Sequence, residues 1–211
     1  NSASATFGFS SVASDLARFE CELDGAGFGA CGSSSPGSTT VSGLADGGHT
    51  FKVRAVDAAG NISTVATRSW TVDRTAPVVS VTSPAGGSTL GSASVTVSGT
   101  ASESSDVTVS MTGKTAQTVA VSSGSWTATF TGLTDGVKSV SASQTDAAGN
   151  TGTSATVSFS VDVTAPSVSF TSGPDGTTSN SASATFGFSS VASDLARFEC
   201  ELDGAGFGAC G

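Results

Sequence analysis

The sequence predicts an all-β protein in which two-sheet sandwiches follow one another along the chain. Ser and Thr make up 69 of its 211 residues (40 Ser and 29 Thr), and 27 Gly stand beside only 5 Pro. This composition is typical of short strands joined by turns. Apolar residues recur at alternate positions, and turn signals separate these stretches. The pattern predicts about seven antiparallel strands per domain, packed as two sheets.

The alternation of apolar and polar residues also predicts which side chains point inward. In the first domain, Phe51 and Val53 alternate with Lys52 and Arg54. If the two strands pair, Lys52 and Arg54 lie beside outward-facing Glu20 and Glu22. The other predicted inward residues are Phe19, Cys21, Leu23, Ala55, Val95, Val97, Val107, Val109, Met111, Trp126, Ala128, Phe130, Ala155, Val157, Phe159, Val161, Ala184, Phe186 and Phe188.

The chain contains an identical repeat and a looser one inside it. Residues 180–211 repeat residues 1–32 letter for letter, so the repeat unit has 179 residues. Within that unit, VDRTAP at 72–77 returns as VDVTAP at 161–166, an offset of 89 residues. GLxDG and DAAGN sequences recur at the same offset. Two related domains therefore form one repeat unit.

These repeats predict three domains. Residues 1–73 form a domain that lacks its first strand, residues 74–162 form a complete domain, and residues 163–211 form the N-terminal half of the next one. A half-sandwich has open sheet edges and little core. We therefore expect neighbouring copies to complete the two partial domains.

The charge balance excludes several classes of partner. Eight basic and 17 acidic residues give a net charge of −9, which repels phosphate backbones and anionic lipids. No apolar run approaches the roughly 18–20 residues of a spanning helix. We expect no nucleic-acid partner and no membrane insertion by this segment.

The sequence offers little for catalysis. His49 is the single histidine, and a Ser-based triad would also need an oriented acid and an oxyanion hole; we interpret His49 as a solvated residue at a strand edge. GFGACG at 27–32 has the letters of a dinucleotide fingerprint but no helix signal after it. Trp70 and Trp126 are interpreted as core residues, with a sugar-stacking platform as the alternative. We predict no enzyme and no required cofactor.

The four cysteines form two equivalent pairs. Cys21 and Cys31 flank a hairpin turn signal, and Cys200 and Cys210 repeat the arrangement. Regularly placed, even-numbered cysteines favour structural disulfides in an oxidising compartment, each contributing roughly 2–3 kcal/mol. A metal or redox pair is the alternative.

Several motifs together resemble the bacterial immunoglobulin-like repeats of large secreted adhesins and extracellular enzymes. They are GSW at 124–126, GLTDG at 132–136, DAAGN at 146–150 and DVTAP at 162–166, with FECELDG at 19–25, GLADG at 43–47 and DAAGN at 57–61 in the cysteine-bearing domain. The resemblance covers essentially the whole chain. It implies tandem immunoglobulin-like sandwiches and spacer or stalk duty at the bacterial surface or outside the cell.

In an immunoglobulin-like domain, two loops and the preceding linker meet at one end. This arrangement predicts a cluster at the first domain junction, and related adhesin repeats stiffen such junctions with Ca²⁺, which takes six to eight oxygen ligands. The alternative is that these carboxylates bind backbone N–H groups of their own turns. The candidate ligands are Asp73, Glu103, Asp106, Asp146 and Asn150.

Taken together, the sequence predicts a non-catalytic spacer segment of a giant repetitive adhesin or fibre. Its expected partners are neighbouring repeats of the same array, with lateral association of copies as a further option. One alternative is an extracellular filament in which half-domains complement one another between chains by strand addition. The other is a carbohydrate-binding accessory module of a secreted hydrolase.

Overall fold

The computed structural model describes residues 2–176 and 180–210. These residues form strands, turns and loops without a helix, so the predicted all-β class is confirmed. No helix in the described part of the chain is long and apolar enough to cross a membrane.

The first domain contains six strands in two sheets. β1 pairs with β4, and the second sheet has the order β3-β2-β5-β6. The strands are β1 (Ala5–Phe9), β2 (Leu16–Leu23), β3 (Gly29–Gly32), β4 (Gly37–Val41), β5 (Gly47–Asp57) and β6 (Ala66–Val72).

The middle domain contains nine strands. One sheet has the order β12-β9-β7, and the other has the order β11-β10-β13-β15-β8, with β14 also paired to β13. β7 and β8 therefore close both sheets, β7 antiparallel to β9 and β8 parallel to β15. The strands are β7 (Val79–Ser83), β8 (Thr89–Leu90), β9 (Ser94–Ala101), β10 (Val107–Met111), β11 (Gln117–Val119), β12 (Ser125–Thr131), β13 (Gly136–Thr145), β14 (Thr151–Thr153) and β15 (Val157–Val161).

The third set of strands consists of two short antiparallel pairs, β16 with β17 and β18 with β19. Apolar side chains such as Phe170 and Phe207 remain exposed there. The strands are β16 (Ser169–Ser172), β17 (Gly187–Ser189), β18 (Glu199–Cys200) and β19 (Gly208–Ala209).

The core of the middle domain agrees with the predicted alternation. The predicted residues of β9, β10 and β12 are all buried, as are Phe159 and Val161 of β15. Ala155 is an exception: it is exposed, because β15 begins only at Val157. Burying these side chains is the main stabilising contribution to the domain.

Trp126 packs against a glycine on the neighbouring strand. Trp126 of β12 lies opposite Gly99 of β9, and its indole N–H donates to the Thr100 carbonyl at 3.1 Å. A Cβ at position 99 would lie 2.3 Å from the indole and 1.9 Å from the Ser80 carbonyl oxygen. Only glycine fits there.

The first domain reverses this pair of residues. Phe9 of β1 lies opposite Gly37 of β4, and a Cβ at position 37 would lie 2.7 Å from the Phe9 ring. The aromatic ring thus comes from the first strand of the pair in one domain and from the second strand in the other.

The outer face of the first domain bears the predicted ion pairs. Arg54 contacts Glu20 and Lys52 contacts Glu22, both at 2.7 Å. The Arg54 guanidinium, and then that of Arg18, holds the pKa of Glu20 below its ordinary value. Arg54 also lies 4.0 Å above the centre of the Phe28 ring.

Two aromatic residues of the first domain differ from expectation. His49 is not solvated: its side chain is only 10% exposed, and its ring nitrogens contact Asp24 at 2.8 Å and the Ala45 carbonyl at 2.9 Å. Trp70 is half-buried rather than fully enclosed, and its ring lies 5.0 Å from that of Phe7. The groove between β1 and β6 leaves this side of the core open.

Replacing Gly99 by Ala should destabilise the middle domain. The added methyl group has no room between Trp126 and the Ser80 carbonyl, so we expect a loss of about 3 kcal/mol, the upper end of the usual range for an overpacked core. Chemical denaturation followed by Trp fluorescence measures it. Gly48→Ala is the matched control, because Gly48 has open space around it. Equal stability of the two variants would contradict the packing described above.

Candidate functional site at the domain junctions

The first linker is held by the domain that precedes it. Asp46, in the loop before β5, accepts a hydrogen bond from Arg74 Nε at 2.7 Å and another from Thr75 Oγ1 at 3.3 Å. Asp73 caps the same turn by accepting a bond from the Thr75 amide at 3.0 Å. Arg74 holds the pKa of Asp46 below its ordinary value, so the carboxylate is charged at neutral pH.

The same linker is also held by the domain that follows it. Asn150, 8% exposed, donates from Nδ2 to the Asp73 carbonyl at 3.0 Å. Asp146 orients Asn150: its two carboxylate oxygens accept bonds from the Asn150 amide and side chain, each at 2.8 Å. Burial raises the pKa of Asp146, but the bonds from Asn150, together with those from the amides of Ala148 and Gly149, outweigh burial and hold this pKa below its ordinary value.

Further along, the linker packs tightly onto the middle domain. Val78 and Ser102 exchange two hydrogen bonds, at 2.8 and 2.9 Å. A Cβ at Gly152 of β14 would lie 1.7 Å from the Pro77 carbonyl oxygen, so the absent side chain is what lets the linker approach. Residues 73–78 are thus fixed from both sides.

The first domain contains the same Asx turn without this bridge. Asp57 accepts bonds from the Asn61 amide and side chain, both at 2.7 Å. Asn61 is exposed, and among the described residues it makes no bond to a linker. The DAAGN motif therefore builds its own turn, and its Asn is positioned to hold a linker that lies beside it.

At the second junction, an Asp side chain again holds the linker as a clamp, as Asp46 does at the first junction, but its hydrogen-bond partners differ. Asp135 takes the place of Asp46 and accepts bonds from the Val163 amide at 2.6 Å and from the Thr164 hydroxyl. Val163 stands where the first linker has Arg74, so this clamp has no ion pair in the linker. A hydrogen bond with Asp194 is the main cause that raises the pKa of Asp162, and the charge of Asp135 adds to it.

Three of the five predicted calcium ligands, Asp73, Asp146 and Asn150, contact one another at the junction. Among the described residues, no group of three or more His, Cys, Asp or Glu side chains is arranged to hold a metal ion. Both carboxylate oxygens of Asp146 accept hydrogen bonds from Asn150. The Glu103 backbone carbonyl accepts a hydrogen bond from the Gln144 side chain. The geometry therefore favours the alternative of backbone-binding turns. Calcium binding itself stays a prediction, which chelation during thermal unfolding tests.

Both cysteine pairs form disulfides, Cys21–Cys31 and Cys200–Cys210, each with a Cα separation of 5.7 Å. Cys21 lies opposite Gly29, and Glu20 lies opposite Ala30, so Cys31 is not the direct partner of Cys21 in the hairpin. The bond therefore crosses the hairpin diagonally. It fixes the β2–β3 hairpin that carries Glu20.

Sequence reasoning missed the clamp residues Asp46 and Asp135, as well as Arg74. A usable signal was present: GLADG and GLTDG recur with the same 89-residue offset as the VDRTAP and VDVTAP linkers. Two motifs that repeat together along a chain are candidates for mutual contact. Spacing alone, however, does not show that the Asp side chain turns towards the linker.

The family profile for the bacterial Ig-like domain matches residues 1–74 and 79–163. The chain belongs to this family. No protein of curated function matches the sequence.

Solved structures with a similar fold include fibronectin(III)-like modules of Clostridium thermocellum CbhA, at 18% identity over 76% of this chain and 85% of that one, with a TM-score of 0.42. A 1.5-MDa bacterial ice-binding adhesin gives 19% identity over 81% of this chain and 63% of that one, with a TM-score of 0.42. The D00-D0 domain of intimin gives 15% identity, coverages of 74% and 92%, and a TM-score of 0.33. These are likenesses of fold.

Replacing Asn150 by Ala should weaken the first junction. The change removes the two bonds that the buried Asn150 side chain donates, to the Asp73 carbonyl and to Asp146 Oδ2, and keeps the backbone bond to Asp146. We expect the middle domain to lose about 1–2 kcal/mol, or roughly 5–10 °C in Tm. Differential scanning calorimetry measures it. Asn61→Ala is the matched control, since Asn61 has the same turn but is exposed. A loss in the control as large as that in Asn150→Ala would assign the effect to the turn alone.

The two junctions should respond to acid with opposite signs. The folded-state pKa of Asp46 is lowered, so its contribution is complete above the ordinary Asp pKa and is lost as pH falls through the folded value. The folded-state pKa of Asp162 is raised, so its favourable contribution is complete below the ordinary pKa and is lost as pH rises through the folded value.

Asp46→Asn should therefore lower Tm at pH 7 and have little effect near pH 3. Asp162→Asn should raise Tm at pH 7, because it relieves the repulsion by Asp194, and should give no gain near pH 3. Calorimetry of both variants across this pH range checks the signs. Shifts of the same sign at pH 7 would contradict the assignment.

Proposed function

We propose that this chain is a spacer segment of a long extracellular array that holds another module at a distance from a bacterial surface. The observation that carries the proposal is the linker at residues 73–78, which is bonded to Asp46 on one side and to Asn150 on the other. A linker held at both ends transmits the orientation of one domain to the next. The work of such a segment is mechanical and not catalytic.

Three further features support this role. The middle domain buries its own core, so reach can grow with copy number as in other repeat proteins. Pro77 and Pro166 restrict the linker backbone. Both described disulfides suit an oxidising environment outside the cytoplasm. The net charge of −9 keeps neighbouring arrays soluble by mutual repulsion.

A distance measurement between the first two domains tests the proposal. Nitroxide labels at Ser38→Cys on β4 and Ser110→Cys on β10, both exposed, report the spread of interdomain distances by pulsed electron resonance. A spacer requires one narrow distribution. The double variant Arg74→Ala, Asn150→Ala should broaden it, and Asn61→Ala should leave it unchanged. A broad distribution in the native chain would identify a flexible tether and overturn the proposal.

A further inference from the structure

His49 connects the loop before β5 to the turn after β2. Its Nδ1 lies 2.8 Å from Asp24 Oδ2, and its Nε2 lies 2.9 Å from the Ala45 carbonyl oxygen. Asp24 begins the turn that follows β2, and Ala45 directly precedes Asp46, the residue that holds the first linker. The imidazole therefore links this turn to residues 43–46, which we call the clamp loop.

Both groups that face the imidazole are hydrogen-bond acceptors. A backbone carbonyl only accepts, and so does an ionised carboxylate. The bond from His49, and then that from the Thr50 amide at 2.8 Å, hold the pKa of Asp24 below its ordinary value, so Asp24 is ionised at neutral pH. Each ring nitrogen must therefore carry a hydrogen, which only the imidazolium form provides. The bonds to Ala45 and then to Asp24 raise the pKa of His49 and outweigh burial, which lowers it.

Loss of the imidazolium proton breaks one of these two bonds. A neutral imidazole has a single N–H, and the charged carboxylate of Asp24 is a stronger acceptor than the carbonyl of Ala45. The remaining hydrogen therefore stays on Nδ1, and Nε2 presents a lone pair to the Ala45 carbonyl oxygen at 2.9 Å. Because two lone pairs repel each other, deprotonation releases the clamp loop from His49.

The middle domain holds the equivalent loop with a lysine. Lys138 of β13 occupies the position of His49 in β5, at the offset of 89 residues and in the same register with the following strand. Its Nζ donates to Thr134 Oγ1 at 3.3 Å and to the Asp135 carbonyl at 3.4 Å. A lysine keeps its charge across the pH range in which histidine titrates. The loop that contains Asp135 therefore stays bound where its counterpart is released.

The acceptor beside this position differs between the two domains as well. Thr112 occupies the place of Asp24, because the Thr112 amide donates to the Ser139 carbonyl at 3.0 Å and the Asp24 amide donates to the Thr50 carbonyl at 2.9 Å. The first domain thus combines a histidine with a carboxylate, and the middle domain has a lysine without one. A carboxylate keeps a histidine protonated near neutral pH, whereas a lysine needs no such partner.

Few other charged groups surround the imidazole. Asp24 is the carboxylate in contact with His49, and Asp46 of the clamp loop forms its ion pair with the linker at 2.7 Å. From β6, the neighbouring ring is that of Trp70, with ring centres 5.5 Å apart, and Arg68 on the same face of β6 is exposed. Protonation of His49 therefore depends mainly on Asp24 and on the carbonyl of the clamp loop.

We propose that His49 is a positioning residue that holds the Asp46 clamp in place only in its imidazolium form, so that the first junction loosens as pH rises and the second junction does not. This role rests on the proposed spacer function, because it adds a pH response to the same linker. The folded-state pKa of His49 is raised above its ordinary value of 6.5. Its contribution is therefore complete below about pH 6.5 and is lost as pH rises through the folded value.

Titration by NMR tests the protonation state. His49 is the single histidine, so its ring signals are identified directly, and their midpoint in the native chain should lie above pH 6.5. Asp24→Asn removes the charge beside the ring and should lower this midpoint by about one pH unit. Asp15→Asn is the matched control, because it makes the same change at an exposed Asp of the same domain. A native midpoint at or below 6.5, or equal shifts in the two variants, overturns the proposal.

The distance between the first two domains tests the effect on the linker. With nitroxide labels at Ser38→Cys and Ser110→Cys, both exposed, the distance distribution should be narrow at pH 5.5 and broader at pH 9. His49→Lys introduces the residue that the middle domain has at this position and should keep the distribution narrow at both pH values. Asp24→Asn should move the onset of broadening to lower pH.

The outcomes separate the role of His49 from the spacer function. A native distribution that is narrow at both pH values, or broadening of equal size in His49→Lys, overturns the role of His49 and leaves the spacer function standing. A native distribution that is broad at both pH values overturns the spacer function, and the role of His49 with it.

Discussion

Closure of the middle sandwich by the segment that follows its linker is the constraint on which the rest of the structure depends. In the middle domain, β7 and β8 cover the edges of both sheets, and Val79 enters the core. In the first domain, no described strand pairs with the other side of β1, a groove lies open there, and Trp70 is only half-buried. The residues of the domain junction and those that close the middle-domain core thus belong to one stretch of chain. A change in the linker therefore affects the stability of the next domain as well as its orientation.

The two domain types solve one packing problem with different residues. At one position in each domain, a ring on one strand lies opposite a glycine, because a Cβ there would overlap the ring. Phe9 and Gly37 form this pair in the first domain, and Trp126 and Gly99 form it in the middle domain. The two domain types therefore place the ring on different strands of the pair.

The junctions combine a fixed acceptor with a variable partner. Asp46 and Asp135 occupy the same loop position, but Arg74 faces the first and Val163 faces the second. The second junction lacks this cation and has Asp194 beside Asp162, which raises the pKa of Asp162. Successive joints of one array thus differ in their electrostatics while sharing a backbone path.

The sequence by itself determined the fold class, the family, most core residues and the disulfide pairs. Alternation and repetition are local signals, since a strand exposes its faces with period two, and Val97, Val109 and Trp126 follow that rule. Only the tertiary structure decided that Asn150 reaches the Asp73 carbonyl, that Asp46 clamps the linker and that His49 is enclosed. It also decided that both carboxylate oxygens of Asp146 accept bonds from Asn150 of the same turn. These contacts join loops far apart in sequence, where side-chain direction depends on how domains meet and not on the pattern of any one strand.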